Sequence, residues 1–376
     1  MKNSIFNKLF CIFLLTFGIH ISPCKAFKGK YPIKNFTPEE YRAGIQNIDF
    51  AQNRDMSLFI ANNLGVLTFN GNEWKTQASN TGKKQRALAF DEHFNRLYVG
   101  SQGDFGYFEN DWNYVSLSNK IPADFHDFDE VWDVYIYDSK VYYCTFRAIY
   151  AYDQQSLDVI QHTDGFNRSF IAGNRIFTQT PKGEIFEISD LQLSKTITQN
   201  ISNQIVAGII SKDEGYLIFY NSGQIEFSTP FSIVEAYPNL VAELKGKYIN
   251  HVLQLSDTRL VISTQTAGIY LFDLQTRRIE NISIKEGLQS NACLRAFQDY
   301  TGNLWLGLQN GIALLDINSP LMLINQDIDL QGSGYEAFDT DEGTYYSTSN
   351  GIYFLTVNTD RAGFLLELKG QRMECR

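Results

Sequence analysis

Short apolar runs alternate with polar turns along almost the whole chain. Leu97-Tyr98-Val99-Gly100 is followed by a turn and then by Gly106-Tyr107-Phe108. Val141-Tyr142-Tyr143 leads in the same way to Ile149-Tyr150-Ala151-Tyr152, and Leu260-Val261-Ile262 to Ile269-Tyr270-Leu271-Phe272. Runs of this length, rich in β-branched and aromatic residues and bounded by Gly, Asn and Asp, predict strands. No segment carries a sustained helical period. Only Phe36-Thr37-Pro38-Glu39-Glu40 predicts a short helical turn.

The strands fall into a repeating unit. Its fullest copy runs from Asp299 through Gly302-Asn303-Leu304-Trp305-Leu306-Gly307 and Asn310-Gly311 to Asp316. It reads as a tight turn, an apolar strand, a turn ending in glycine and another strand. That last glycine recurs at Gly65, Gly106, Gly183, Gly223, Gly268, Gly311 and Gly351, with Ala148 in its place once. Successive spacings run from 35 to 45 residues. Short strands repeating about every forty residues predict the blades of a β-propeller.

The predicted fold class is therefore all-β: a seven-bladed β-propeller plus one blade of a second, incomplete propeller. Seven units fill residues 45 to 319, and Ile317-Asn318-Ser319-Pro320 marks a break. The boundaries expected are 27–320 for the first propeller and 321–376 for the remainder. One ring of eight blades is the alternative the repeat leaves open. The segment near Ile33 to Phe36 is expected to lend an outer strand to blade seven. A lone blade over 334–355 has no neighbours to cover its faces. Tyr345, Tyr346, Ile352, Tyr353, Phe354 and Leu355 are then expected to stay partly exposed.

Residues 1–26 are set apart by a different pattern. Lys2 and Lys8 precede an uncharged apolar run over 9–21, and Cys24-Lys25-Ala26 offers a small-x-small cleavage site. The run is short of the roughly 20 residues a membrane helix needs. It reads as a signal peptide, which places the mature chain in the periplasm or another extracytoplasmic space. A net charge of −10 without a basic stripe argues against a nucleic-acid partner. Cys144, Cys293 and Cys375 are odd in number and widely spaced, so no disulfide framework is implied. Cys144 and Cys293 lie in apolar strands and read as buried free thiols.

Gly287-Leu288-Gln289-Ser290-Asn291, then Phe297-Gln298-Asp299 and Gly302-Asn303-Leu304-Trp305-Leu306-Gly307, resembles the two-component-regulator propeller repeat. The start, Asn35-Phe36-Thr37-Pro38-Glu39-Glu40-Tyr41 and then Gln46-Asn47-Ile48, is similar to sensor proteins of that group. The resemblance implies the extracytoplasmic part of a hybrid two-component or triple-tyrosine/helix-turn-helix regulator. In such proteins two seven-bladed propellers and a triple-tyrosine module precede the membrane helix and the output domain. Those later parts have no counterpart here, so the chain reads as the N-terminal piece of a sensor.

Catalytic motifs are absent, and neither a cofactor nor a metal is expected. Asp124, Asp127, Asp129 and Glu130 crowd one segment, which reads as a solvated loop between blades. The ligand-binding positions expected at one mouth of the ring are Asn62, Asp104, Phe105, Glu130, Trp132, Arg147, Arg168, Asn250 and Gln309. Flat apolar faces mixed with amides, carboxylates and guanidinium groups suit a small polar ligand or glycan. The reading is a non-catalytic sensing module. A scaffold docking to a sensor partner or to a second copy is the alternative. A propeller lyase or hydrolase is the other, and carboxylates, or a His with Arg, clustered at one mouth of the channel would favour it.

Overall fold

The computed structural model describes residues 29–77, 83–197, 204–320, 323, 329–340, 342–356 and 363–366. The expected signal peptide and Cys375 lie outside the described residues. The described residues fall into two compact units, one within 32–319 and the other formed by those before 32 and from 320 on.

Tight hairpins build the larger unit. Asp138 and Ser139, at φ 47° and 58°, make a two-residue turn between Val131–Tyr137 and Lys140–Thr145. Paired positive φ values match the twist of the flanking strands. The repeat glycine answers a second constraint. At Gly268, φ is 71° and an added Cβ would lie 2.1 Å from the Ile282 carbonyl oxygen. Asp299 explains the most specific motif. Its Oδ1 accepts the N–H groups of Thr301 and Asn303, and its Oδ2 accepts the Trp305 indole N–H at 2.8 Å. The turn and the first core tryptophan of the blade are thus held by one carboxylate.

These hairpins pair into seven four-stranded antiparallel sheets. Their innermost strands are Asn47–Gln52, Gln85–Asp91, Val131–Tyr137, Arg168–Ala172, Val206–Lys212, Ile249–Gln254 and Cys293–Gln298. We number the blades one to seven in that order. Each innermost strand packs on the next, and Cys293–Gln298 packs on Asn47–Gln52, so the circuit closes at seven. Blade seven takes its outer strand from the N-terminal side: Ile33–Phe36 runs antiparallel to Ile312–Leu315, from Ile33 opposite Leu315 to Phe36 opposite Ile312. Phe36 locks that strand down. It is 1% exposed, stacks on Trp305 at 5.7 Å, and meets the edges of Phe69 and Trp74.

The short turn expected after Phe36 is present as the helix Pro38–Tyr41. A second helix, Pro238–Leu244, was not legible. It spans too few residues to show a period, yet it sinks Leu240 and Leu244 into the core between blades five and six. Among the described residues no helix is long and apolar enough to cross a membrane. Cys144 and Cys293 are buried free thiols, as expected. Burial pushes the Cys293 thiol up to about 12.

The smaller unit holds one four-stranded sheet of Gly334–Thr340, Gly343–Thr348, Gly351–Thr356 and Gly363–Leu366. Its first strand is exposed along its whole length, with Tyr335 at 70% and Phe338 at 67%. The expectation of partial exposure holds for Tyr345, Ile352 and Phe354 and is corrected for Tyr346, Tyr353 and Leu355. Tyr346 pairs across the sheet with Tyr353, and these two with Leu355 bury one another on one face, where Leu330 packs against them.

Candidate functional site

The innermost strands share one irregularity. In blades one, two, three, five, six and seven the register slips by a residue near the start of the strand. A bulge re-aims the side chain that follows it. The residues after the bulge include Asp49, Asp133, Gly208, His251 and Arg295, and these meet around the axis.

Arg295 of blade seven reaches in two directions. Its Nε lies 3.0 Å from Asp49 Oδ1 of blade one, and its Nη1 lies 3.4 Å from Asp133 Oδ1 of blade three. Asp49 also accepts the Leu88 N–H at 2.9 Å. Both carboxylates are buried, while Arg295 keeps 23% of its side chain open toward the axis. Burial holds the Asp49 carboxyl above its ordinary range, against the pull of Arg295 and of the backbone donors. Burial would lower the Arg295 guanidinium, but Asp49 and Asp133 outweigh it and raise it further. Arg295 therefore stays charged.

Beside this cluster lies a cavity of about 250 Å³ lined by innermost strands of blades three to seven. Asp133, Arg168, Asn250, His251 and Arg295 are among the polar groups of its wall. Blade five contributes Ala207, Gly208, Ile209 and Ile210 to the lining, and the first two carry almost no side chain. Gly208 is dictated by packing, since an added Cβ would lie 2.7 Å from the Val252 Cβ. The Asn250 amide donates to Gln265 Oε1 at 2.9 Å and to the Cys293 carbonyl at 2.8 Å. The Ala296 N–H points at His251 Nδ1 at 3.4 Å, which leaves the imidazole proton on Nε2. Burial, reinforced by Arg295 and Arg168, pushes the His251 imidazole well below its ordinary range. It is neutral at physiological pH.

A testable consequence follows from that last shift. The unfolded chain binds a proton at His251 below about pH 6.5, and the folded chain does not. Stability is then lost as pH falls, by up to ~1.4 kcal/mol per pH unit from this one group. Urea denaturation between pH 7 and pH 5 should show a shallower acid loss in His251→Asn than in the parent. Equal slopes would mean that His251 titrates normally.

The expected site residues separate into three groups. Asn62, Asp104 and Phe105 are buried and structural, which corrects their reading as ligand contacts. Asn62 bonds Gly44, Gln46, Asn47 and Leu64. Asp104 holds Ser116 at 2.8 Å and Ser118 at 2.5 Å, and Phe105 stacks on Tyr143 in the core. Near the axis but off the cavity, Glu130 is buried and paired with Arg86 at 2.8 Å. Arg86 lies over the Trp132 ring, which stacks on the exposed Phe146. Arg147 is exposed and donates to the Asp124 carbonyl, and Gln309 is half-buried. Only Arg168 and Asn250 line the cavity.

Asp49, Asp133, His251 and Arg295 were missed. The signal was available: each follows the same slot of the repeat, where a polar residue interrupts an apolar strand. Elsewhere, Asp124, Asp127 and Asp129 are exposed, as a solvated loop requires. His162, Asp164 and Glu184 bring one ligand atom each within 4.8 Å. Lys182 and Lys195 already pair with the two carboxylates, at 2.8 and 2.6 Å.

The fold has solved counterparts. The chain is similar to the extracellular domain of the hybrid two component system BT3049 from B. thetaiotaomicron, at 16% identity and a TM-score of 0.67 over 90% of this chain and 50% of that one. It is similar to the corresponding domain of BT4673 from the same organism, at 17% identity and a TM-score of 0.58, covering 87% and 46%. It is also similar to a catalytically inactive virginiamycin B lyase from Staphylococcus aureus with quinupristin, at 11% identity and a TM-score of 0.60, covering 76% and 99%. The chain spans about half the length of the two-component extracellular domains it matches. No family model matches the chain, and no curated protein matches it. At these identities the likeness is one of fold: the chain is an all-β propeller of the kind found in extracellular domains of hybrid two component systems, the class its repeat resembles.

Proposed function

We propose that the chain is an extracytoplasmic ligand-sensing propeller module of a signal-transduction regulator, and that it binds a small polar ligand in the axial cavity without turning it over. The observation that carries this reading is the cavity itself. It collects Arg168 of blade four with Asn250 and His251 of blade six into about 250 Å³. Convergent polar groups in one concave space are the usual mark of a ligand site. The signal-peptide pattern of residues 1–26 supports export, and the sensor-like repeat supports a role in signalling.

One observation favours a second reading, that of a propeller lyase. A neutral imidazole stands near two guanidinium groups in the channel, as a general base would. Against it, Asp49 and Asp133 are both committed to Arg295. Calorimetry of the full chain against a panel of monosaccharides and short oligosaccharides, with product analysis after long incubation, separates the two. Binding with no product is expected. Product formation that disappears in His251→Ala would establish the lyase reading instead.

A further inference from the structure

The cavity's charges are not evenly committed. Arg295 is shared between Asp49 and Asp133, whereas the Arg168 guanidinium has neither a carboxylate partner nor a hydrogen bond among the described residues. Arg168 opens the innermost strand of blade four, and His251 follows the bulge of blade six. Blade five runs between them and offers Ala207, Gly208, Ile209 and Ile210 to the space, the first two with almost no side chain and none with a polar one. The two side chains therefore border one open volume rather than a packed wall.

We propose that the occupant of this volume is a small anion, a carboxylate-bearing molecule of monosaccharide size, held by the Arg168 guanidinium and the His251 Nε2–H. The inference rests on the axial cavity being the sensor's ligand site. Three features support it. A guanidinium without a partner presents a planar fork that matches a carboxylate bidentately. The His251 imidazole, with Nδ1 facing the Ala296 N–H, keeps its Nε2–H as a second donor on a side chain that lines the cavity. The charged groups acting on His251 are Arg295 and Arg168, and both repel a proton, so the field on that side of the cavity is positive. Asp133 also lines the cavity, but Arg295 stands against it. Tyr135, the other titratable group of the lining, donates its hydroxyl to the Ser169 carbonyl at 2.7 Å and stays neutral. Size sets the last limit. At about 250 Å³, the cavity is below the ~300–1,000 Å³ typical of drug-sized ligands. It suits one acidic ring, not a chain.

The test uses the full chain and two probes of equal size, glucuronate and glucose, at fixed ionic strength. Calorimetry should show glucuronate binding at least tenfold tighter than glucose. Arg168→Gln should remove that preference, Arg168→Lys should keep part of it, and Arg147→Gln, at an exposed site off the cavity, should change nothing. Circular dichroism checks that the variants remain folded. Bound glucuronate should also raise the His251 titration midpoint followed by NMR, because an anion beside the ring favours the imidazolium. If glucose binds as tightly as glucuronate and shifts the same His251 signals, the inference falls while the sensor reading stands. Should neither probe, nor acetate nor sulfate, perturb His251, the axial cavity is not a ligand site and both fall.

Discussion

Replacing Arg295 by Met is expected to lower the stability of the ring by about 3–5 kcal/mol, the usual cost of stranding a buried charge. Two carboxylates from different blades share this one guanidinium, at 3.0 and 3.4 Å. Without it, Asp49 and Asp133 must either ionise unpaired or take up protons. Burial without a counter-charge raises the folded-state pKa above the unfolded one, so stability in the variant should fall as pH rises, and the loss should be smallest in acid. Adding Asp49→Asn and Asp133→Asn to Arg295→Met should recover much of the difference in urea denaturation. A single variant within 1 kcal/mol of the parent would show that the channel is hydrated enough to carry the two charges alone.

The second large effect is expected at the closure of the ring. Phe36→Ala should cost about 3–5 kcal/mol, as for other buried phenylalanines. The side chain is enclosed by Trp305, Phe69 and Trp74, which come from both blade seven and blade one. Its strand is also the outer strand of blade seven. The loss should therefore appear as a sharp drop in the thermal midpoint with one cooperative transition retained. Lys34→Ala is the milder comparison: its side chain is exposed and its ammonium lies 4.7 Å over the Phe36 ring, so it should shift the midpoint much less. Equal shifts in the two variants would mean that the strand closes the ring through its backbone alone.

Much of this architecture could be read from the chain because its determinants are local. The glycine turns, the Asp299 turn and the alternation of apolar residues act within a hairpin, so they leave a mark in every copy. The closing strand was legible for a related reason: seven evenly spaced units and the break at Ile317-Asn318-Ser319-Pro320 left the segment near Ile33 to Phe36 to join blade seven. The site was harder. Asn62 and Asp104 look like loop residues available to a ligand, but their oxygens are consumed by nearby N–H and O–H groups. Nothing in a sequence says whether a polar side chain turns inward to brace a loop. Conversely, Arg295 sits in an apolar strand, and its partners lie 246 and 162 positions earlier. Pairings at that distance follow from the closure of the ring and from no local pattern.

The bulge that recurs on the innermost strands has a wider consequence. It gives each blade that carries it one position whose side chain turns toward the axis while the rest of the strand stays in its sheet. Scaffold and selectivity are thereby separated by a single residue per repeat. A change at His251 alters what the axis presents without rewriting a hairpin, and a change in a hairpin leaves the axis as it was. Such an arrangement lets a lineage of these chains explore new chemical signals one blade at a time, with the risk to folding confined to the few positions, such as Arg295, that answer to more than one neighbour.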